Sequence, residues 1–75
     1  MRKEQRKRVA ALIDLLARIA EELGALAEEQ QEKFDNANEG LQATEKFKKI
    51  EEEADNFYSF QGDIEDLQDS LQEYV

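Results

Sequence analysis

Apolar residues recur along this chain at alternating spacings of three and four, in two separate stretches. The first stretch runs through Val9, Ile13, Leu16, Ala20, Leu23, Ala27, Gln30 and Phe34. The second runs through Phe47, Ile50, Ala54, Phe57, Gln61, Ile64, Gln68, Leu71 and Val75. This spacing places the residues on one face of a helix, and over about four heptads it is typical of a coiled-coil seam. The pattern therefore predicts two amphipathic helices.

The segment between the two stretches reads Asp35-Asn36-Ala37-Asn38-Glu39-Gly40, which is rich in residues that favour turns. We expect helix 1 over about residues 3–35, a turn over 36–42 and helix 2 over about 43–74. Asn38 or Gly40 is expected to close helix 1, and Thr44 to cap helix 2. A short turn between helices of equal length makes them antiparallel neighbours. The prediction is a single all-α domain over residues 1–75, an antiparallel two-helix hairpin.

The register of this hairpin follows from matching the two stretches from the turn outwards. Phe34 is expected opposite Phe47, Ala27 opposite Ala54, and Ile13 opposite Leu67. The basic residues Arg2, Lys3, Arg6, Lys7 and Arg8 then face the acidic segment Glu65–Glu73. Such flanking charges help to select helix orientation in coiled coils, and solvated surface is the alternative interpretation.

Both helices carry more apolar residues than one seam can cover. Residues 57, 58 and 60 span more than half a helical turn, so either helix 2 kinks at Gly62 or one ring points to a second surface. The surplus residues form a predicted surface for self-association or partner binding: Leu12, Leu15, Ile19, Leu26, Tyr58, Phe60, Leu67 and Tyr74. We expect a homodimer that closes into a four-helix bundle.

The chain has a formal net charge of −9, and residues 51–75 include nine carboxylates and no basic side chain. This balance argues against direct binding to nucleic acid or anionic membranes. The residues of a predicted acidic partner surface are Glu51, Glu52, Asp55, Asp63, Glu65, Asp66, Asp69 and Glu73. Such clusters are most often solvated helix faces. Metal binding and mimicry of DNA are the alternatives.

Cys and His are both absent from the 75 residues, which removes the usual ligands and nucleophiles. The segment from Asp35 to Lys46 resembles a calcium loop, but Ala37 and Lys46 stand where oxygen ligands belong. No apolar run approaches the roughly 18 residues of a membrane span. We therefore expect no catalytic residue, metal or cofactor, no enzyme activity, and a cytoplasmic location in a bacterial cell.

One stretch resembles a family. Residues 28–36, followed by Glu39-Gly40-Leu41-Gln42 and Ala54-Asp55-Asn56-Phe57, are similar to small acidic hypothetical proteins of phages, prophages and bacteria. Those proteins carry an E-x-Q-x-x-x-D-N-M-P-E-x-L-Q turn followed by an A-x-D-N-L helix. Ala37-Asn38 departs from that pattern at Met-Pro. The resemblance implies a hairpin and a phage or mobile-element context, and it implies no activity.

Two functions are consistent with these features. The first is a non-enzymatic interaction module that self-associates and binds a partner protein. The alternative is a phage inhibitor of host defence, of the anti-CRISPR or DNA-mimic type, that uses the acidic surface of helix 2. Its partner would be a basic nucleic-acid-binding protein.

Overall fold

A computed structural model describes residues 1–75 and is all-helical, with 89% of residues in helices and no strands. Helix α1 spans Lys3–Asp35, α2 is a single turn over Glu39–Gln42, and α3 spans Glu45–Leu71. A 3-10 turn over Gln72–Tyr74 ends the chain and contacts α1. Helices α1 and α3 pack along their lengths in a hairpin of 58 × 14 × 12 Å. The predicted all-α fold is confirmed.

The seam between α1 and α3 consists of the residues that the periodicity singles out. Every seam position of α1 is buried or half-buried, and so is every seam position of α3 except Val75. The fully buried side chains are small, since Ala27 and Ala54 both have no exposed surface. Only five residues in the chain are buried, the others being Val9, Ile13 and Ala20. The hairpin therefore has a narrow core one side chain wide.

The connection between the helices differs from the predicted turn. Asn36 is the C-cap of α1 and has a right-handed conformation. Asn38 is the N-cap of α2, and its side chain accepts a 2.9 Å hydrogen bond from the Leu41 N–H. No residue has a positive φ, so neither Asn38 nor Gly40 closes α1 in a left-handed conformation. Thr44 caps α3 as predicted, and its hydroxyl oxygen accepts from the Phe47 N–H. Segment 36–44 therefore contains a helical turn.

Two contacts between the helices define their register. The Gln30 side-chain amide donates to Glu53 at 2.9 Å, and the Gln61 side chain lies against Gly24. We infer from these contacts a register that sets Phe34, Ala27, Ala20 and Ile13 level with Ile50, Phe57, Ile64 and Leu71. This register differs by about one helical turn from the predicted one, which placed Ala27 opposite Ala54. It sets the small residue Ala27 beside a phenylalanine, as interdigitated packing requires.

The same register changes the predicted position of the terminal charges. Val9 is level with Val75, so residues 1–8 extend past the end of α3, and all eight of them are exposed. Residues 65–73 lie level with residues 11–19 of α1. In this register, Arg2–Arg8 do not face Glu65–Glu73, and the difference from the prediction is the same one-turn shift.

Gly62 lies within α3, which continues through it as an uninterrupted helix to Leu71. A methyl group added at Gly62 meets no atom within 4 Å. We expect Gly62→Ala to raise the free energy of unfolding by about 1 kcal/mol, because alanine restricts the unfolded chain and favours the helix. Urea denaturation followed by circular dichroism measures this change.

Gly24→Ala is the matched control for that prediction. A Cβ at Gly24 would lie 2.6 Å from Gln61 Nε2, so the glutamine side chain has to move. The gain at position 24 should therefore be smaller than at position 62, and the difference should shrink when Gln61 is also replaced by alanine. Equal gains in the two single variants would contradict the packing of Gln61 on Gly24.

Candidate functional site

The exposed apolar residues of the two long helices form one continuous surface. In an antiparallel pair, a two-fold axis normal to the plane of the two helices relates one helix to the other. Residues that precede seam positions therefore lie on the same side of that plane in both helices, and residues that follow them lie on the other side. Seven exposed apolar residues precede a seam position: Leu12, Leu15, Ile19, Leu26, Phe60, Leu67 and Tyr74. We call these seven residues the apolar face.

The two helices contribute to the apolar face at matching levels. The register sets Leu12 beside Tyr74, Ile19 beside Leu67, and Leu26 beside Phe60. Successive levels are one heptad apart, about 10 Å along the axis. All of these side chains are between 44% and 53% exposed. The result is a strip two side chains wide on one side of the hairpin.

Phe60 is held in its place on this strip by an aromatic neighbour. Its ring makes an edge-to-face contact with Phe57, with ring centroids 6.3 Å apart and an interplanar angle of 69°. Phe57 belongs to the half-buried seam, so the contact links the core to the exposed ring. Such pairs are favourable beyond their buried area by about 0.5–1.5 kcal/mol. The aromatic cluster of α3 is accommodated by pointing rings to different sides of an unbroken helix.

Tyr58 is separated from the rest of the predicted apolar surface. It follows the seam residue Phe57 and therefore lies on the other side of the hairpin, with 43% of its surface exposed. The sequence-based prediction grouped it with the other seven because each of them lay outside the seam. It did not use the side of the seam on which a residue falls. That signal is present in the sequence once the helices are known to be antiparallel.

Met1 extends the apolar face and was not predicted as part of it. It lies with Gln5, Arg8, Val9 and Leu12 around an open groove at the free end of α1. Met1, Gln5 and Arg8 line the same groove as Leu12 and therefore lie on the same side of the hairpin. Leu41 in α2 is also exposed and unpredicted, at the opposite end of the molecule.

All eight residues of the predicted acidic surface are exposed, but they do not form one patch. Glu51, Asp55, Glu65 and Asp69 follow seam positions and share the side of Tyr58. Helix α1 adds four carboxylates to that side, and its exposed acidic residues there are Asp14, Glu21, Glu28 and Asp35. We call these eight carboxylates the acidic side. Asp63 instead lies at the edge of the apolar face, and Glu52, Asp66 and Glu73 point away from α1.

No group of three or more Asp or Glu side chains is arranged to hold a metal ion. None of the helices combines the length and the apolar character that crossing a membrane requires. The hairpin has two open surfaces, an apolar strip on one side and a row of carboxylates on the other.

The fold and these surfaces define the class of the molecule as an acidic helical hairpin. No protein-family model, curated protein or solved structure matches the chain.

Proposed function

We propose that this chain is a non-enzymatic interaction module that self-associates through its apolar face and also binds a partner protein. The observation that carries the proposal is the contrast between core and surface. Five residues are buried in the hairpin, and seven large apolar side chains remain together on one open side. Isolated domains of this size are marginal, and association is a common route to stability.

The dimensions of the apolar face match what a stable dimer needs. The strip and its polar edges, from Arg8 to Glu29 along α1, extend for roughly 30–40 Å, and two adjacent helices are about 20 Å wide. The covered area is then about 600–800 Å² per copy, close to the standard size for a specific interface. Two hairpins packed face to face give a four-helix bundle with a second, wider core.

Sedimentation equilibrium of the purified chain tests this proposal. A dimer has twice the chain mass of 8.7 kDa, and its population should fall on dilution together with helicity. The two signals should fall together because the dimer supplies part of the stability of each hairpin. A monomer with full helicity at all concentrations would overturn the proposal.

The alternative function uses the acidic side as a mimic of nucleic acid. The specific observation in its favour is that the eight carboxylates lie opposite the apolar face, so a dimer leaves them in solvent. Neighbouring carboxylates on a helix are about 5–6 Å apart, which is comparable with phosphate spacing. The partner would be a basic nucleic-acid-binding protein of host defence, and the phage setting implied by the sequence resemblance is compatible with it.

Competition with duplex DNA distinguishes this alternative. Binding of the chain to a purified DNA-binding nuclease should be displaced by duplex DNA and lost at high salt. The reason is that the chain and the DNA would both bind the same Lys and Arg side chains of the nuclease. Replacing Glu51, Asp55, Glu65 and Asp69 by the corresponding amides should abolish it without dissociating the dimer. Capture that resists salt and these substitutions would contradict mimicry.

A further inference from the structure

The apolar face is symmetric about its middle residues. On α1, Leu12 and Leu26 lie seven residues on either side of Ile19. Phe60 on α3 and Tyr74 in the 3-10 turn that follows it lie seven residues on either side of Leu67. The register sets Ile19 and Leu67 within about 3 Å of the same level along the hairpin. A single axis across the apolar face therefore passes through the centre of both rows.

We propose that the second copy packs on this face head to tail, with α1 against α1 and α3 against α3, about a two-fold axis at Ile19 and Leu67. This inference rests on the proposed self-association and specifies its geometry. Ile19 then meets Ile19 of the second copy, and Leu67 meets Leu67. Leu12 meets Leu26, and Tyr74 meets Phe60, so each end of the interface has one aliphatic pair and one aromatic pair.

The charges at the edge of the face support this orientation. Arg8 and Glu29 precede the seam residues Val9 and Gln30, and both are exposed on the side of the apolar face. Arg8 lies eleven residues before Ile19 and Glu29 lies ten residues after it. The two-fold axis therefore brings Arg8 of each copy opposite Glu29 of the other. At each end of the dimer, the basic segment of residues 1–8 then lies near the Glu29 carboxylate of the other copy.

The other face-to-face arrangement brings like charges together. In a dimer with both turns at the same end, α1 of one copy lies over α3 of the other. Glu22 is then level with Asp63 of the second copy, and both side chains are exposed at the edge of the face. Arg8 lies beyond the end of the facing α3 and has no partner there. The head-to-tail arrangement avoids the repulsion between Glu22 and Asp63, because it places Glu22 near Leu15 and Asp63 near Ser70 of the other copy.

Charge reversal tests the orientation. We expect Arg8→Glu and Glu29→Arg each to raise the dimer dissociation constant about 3- to 10-fold at low salt, since two exposed pairs per dimer become repulsive. The double variant should return to within about 2-fold of the wild type. Positions 8 and 29 are about 31 Å apart within one α1 helix, so this rescue has to act between copies.

Glu28→Arg provides the matched control. Glu28 is the neighbour of Glu29 but follows the seam residue Ala27, so it lies on the acidic side. Combining Glu28→Arg with Arg8→Glu should leave the dimer as weak as Arg8→Glu alone. If Glu28→Arg rescues the dimer as strongly as Glu29→Arg does, the change in net charge explains the rescue and the proposed pairing of Arg8 with Glu29 is wrong.

Single cysteines give a second readout, because the chain contains none of its own. Ile19→Cys should be joined into a covalent dimer by a short bis-maleimide, since the two thiols face each other at the axis. Leu26→Cys should not, because its two thiols are about 21 Å apart in the head-to-tail dimer. Equal cross-linking at both positions indicates turns at the same end. A dimer that sediments normally but shows neither rescue nor selective cross-linking overturns this geometry alone, whereas a monomeric wild type overturns the proposed function as well.

Discussion

The Leu67→Lys variant is expected to be monomeric at concentrations where the wild-type chain is dimeric, with a dissociation constant raised at least 100-fold. Leu67 is 48% exposed in the hairpin and is therefore available to a second copy. Burying a fully exposed leucine contributes about 1.5–3 kcal/mol, so covering the exposed half of Leu67 contributes about 0.7–1.5 kcal/mol, and a dimer loses two such contributions. The substitution also places two ammonium groups together at a surface that excludes water. Sedimentation equilibrium measures the change.

Tyr58→Lys is the matched control for that experiment. Tyr58 lies nine residues away on the same helix and is 43% exposed, so the two substitutions change helix propensity and net charge in similar ways. It lies on the acidic side, and the dimer should retain its wild-type affinity within about 3-fold. If Tyr58→Lys weakens the dimer as much as Leu67→Lys does, the apolar face is not the interface. A dimeric Leu67→Lys variant would lead to the same conclusion.

The Ala27→Asp variant is expected to lose at least 3 kcal/mol of folding stability and to be largely unfolded at room temperature. Ala27 lies in the seam and has no exposed surface. A carboxylate at this position is removed from water without a cation or a hydrogen-bond donor to compensate, and an uncompensated buried charge costs about 3–5 kcal/mol. With so narrow a core, the hairpin has little stability to lose. Urea denaturation and the circular dichroism signal at 222 nm report the loss.

Ala25→Asp separates this burial effect from helix propensity. Ala25 is exposed on the outer surface of α1, two residues from Ala27, and the substitution is chemically identical. Its cost should stay below about 1 kcal/mol, because aspartate disfavours the helix interior only slightly. Similar losses in the two variants would mean that Ala27 is not enclosed between α1 and α3, which would remove the seam on which the hairpin depends.

The amino-acid sequence was sufficient to predict both helices and the side chains that face the seam. Each prediction uses the position of a residue relative to its own helix, which the helical repeat of 3.6 residues fixes locally. The same local rule identified the exposed apolar residues Leu12, Ile19 and Leu67 as surplus to the seam. It also located the Thr44 cap, because a hydroxyl before an apolar repeat satisfies free N–H groups in any context.

The turn and the register were not predictable in the same way. Asn38 begins α2 instead of ending α1, and both roles suit an asparagine equally well. The register depends on which small residue accommodates which large one. Two heptad repeats match at every shift of one turn, so the periodicity alone does not distinguish Ala27 opposite Phe57 from Ala27 opposite Ala54. The energy of packing between the helices makes that choice.

The sequence by itself determined which residues are apolar and how they are spaced, and therefore that each long helix has one buried and one exposed apolar row. Only the tertiary structure decided the levels at which the two exposed rows lie beside each other. The physical reason is that the direction and offset of one helix against the other depend on contacts between residues far apart in the chain. The Gln61 side chain reaches Gly24, and the Gln30 side chain reaches Glu53, only when the hairpin is closed.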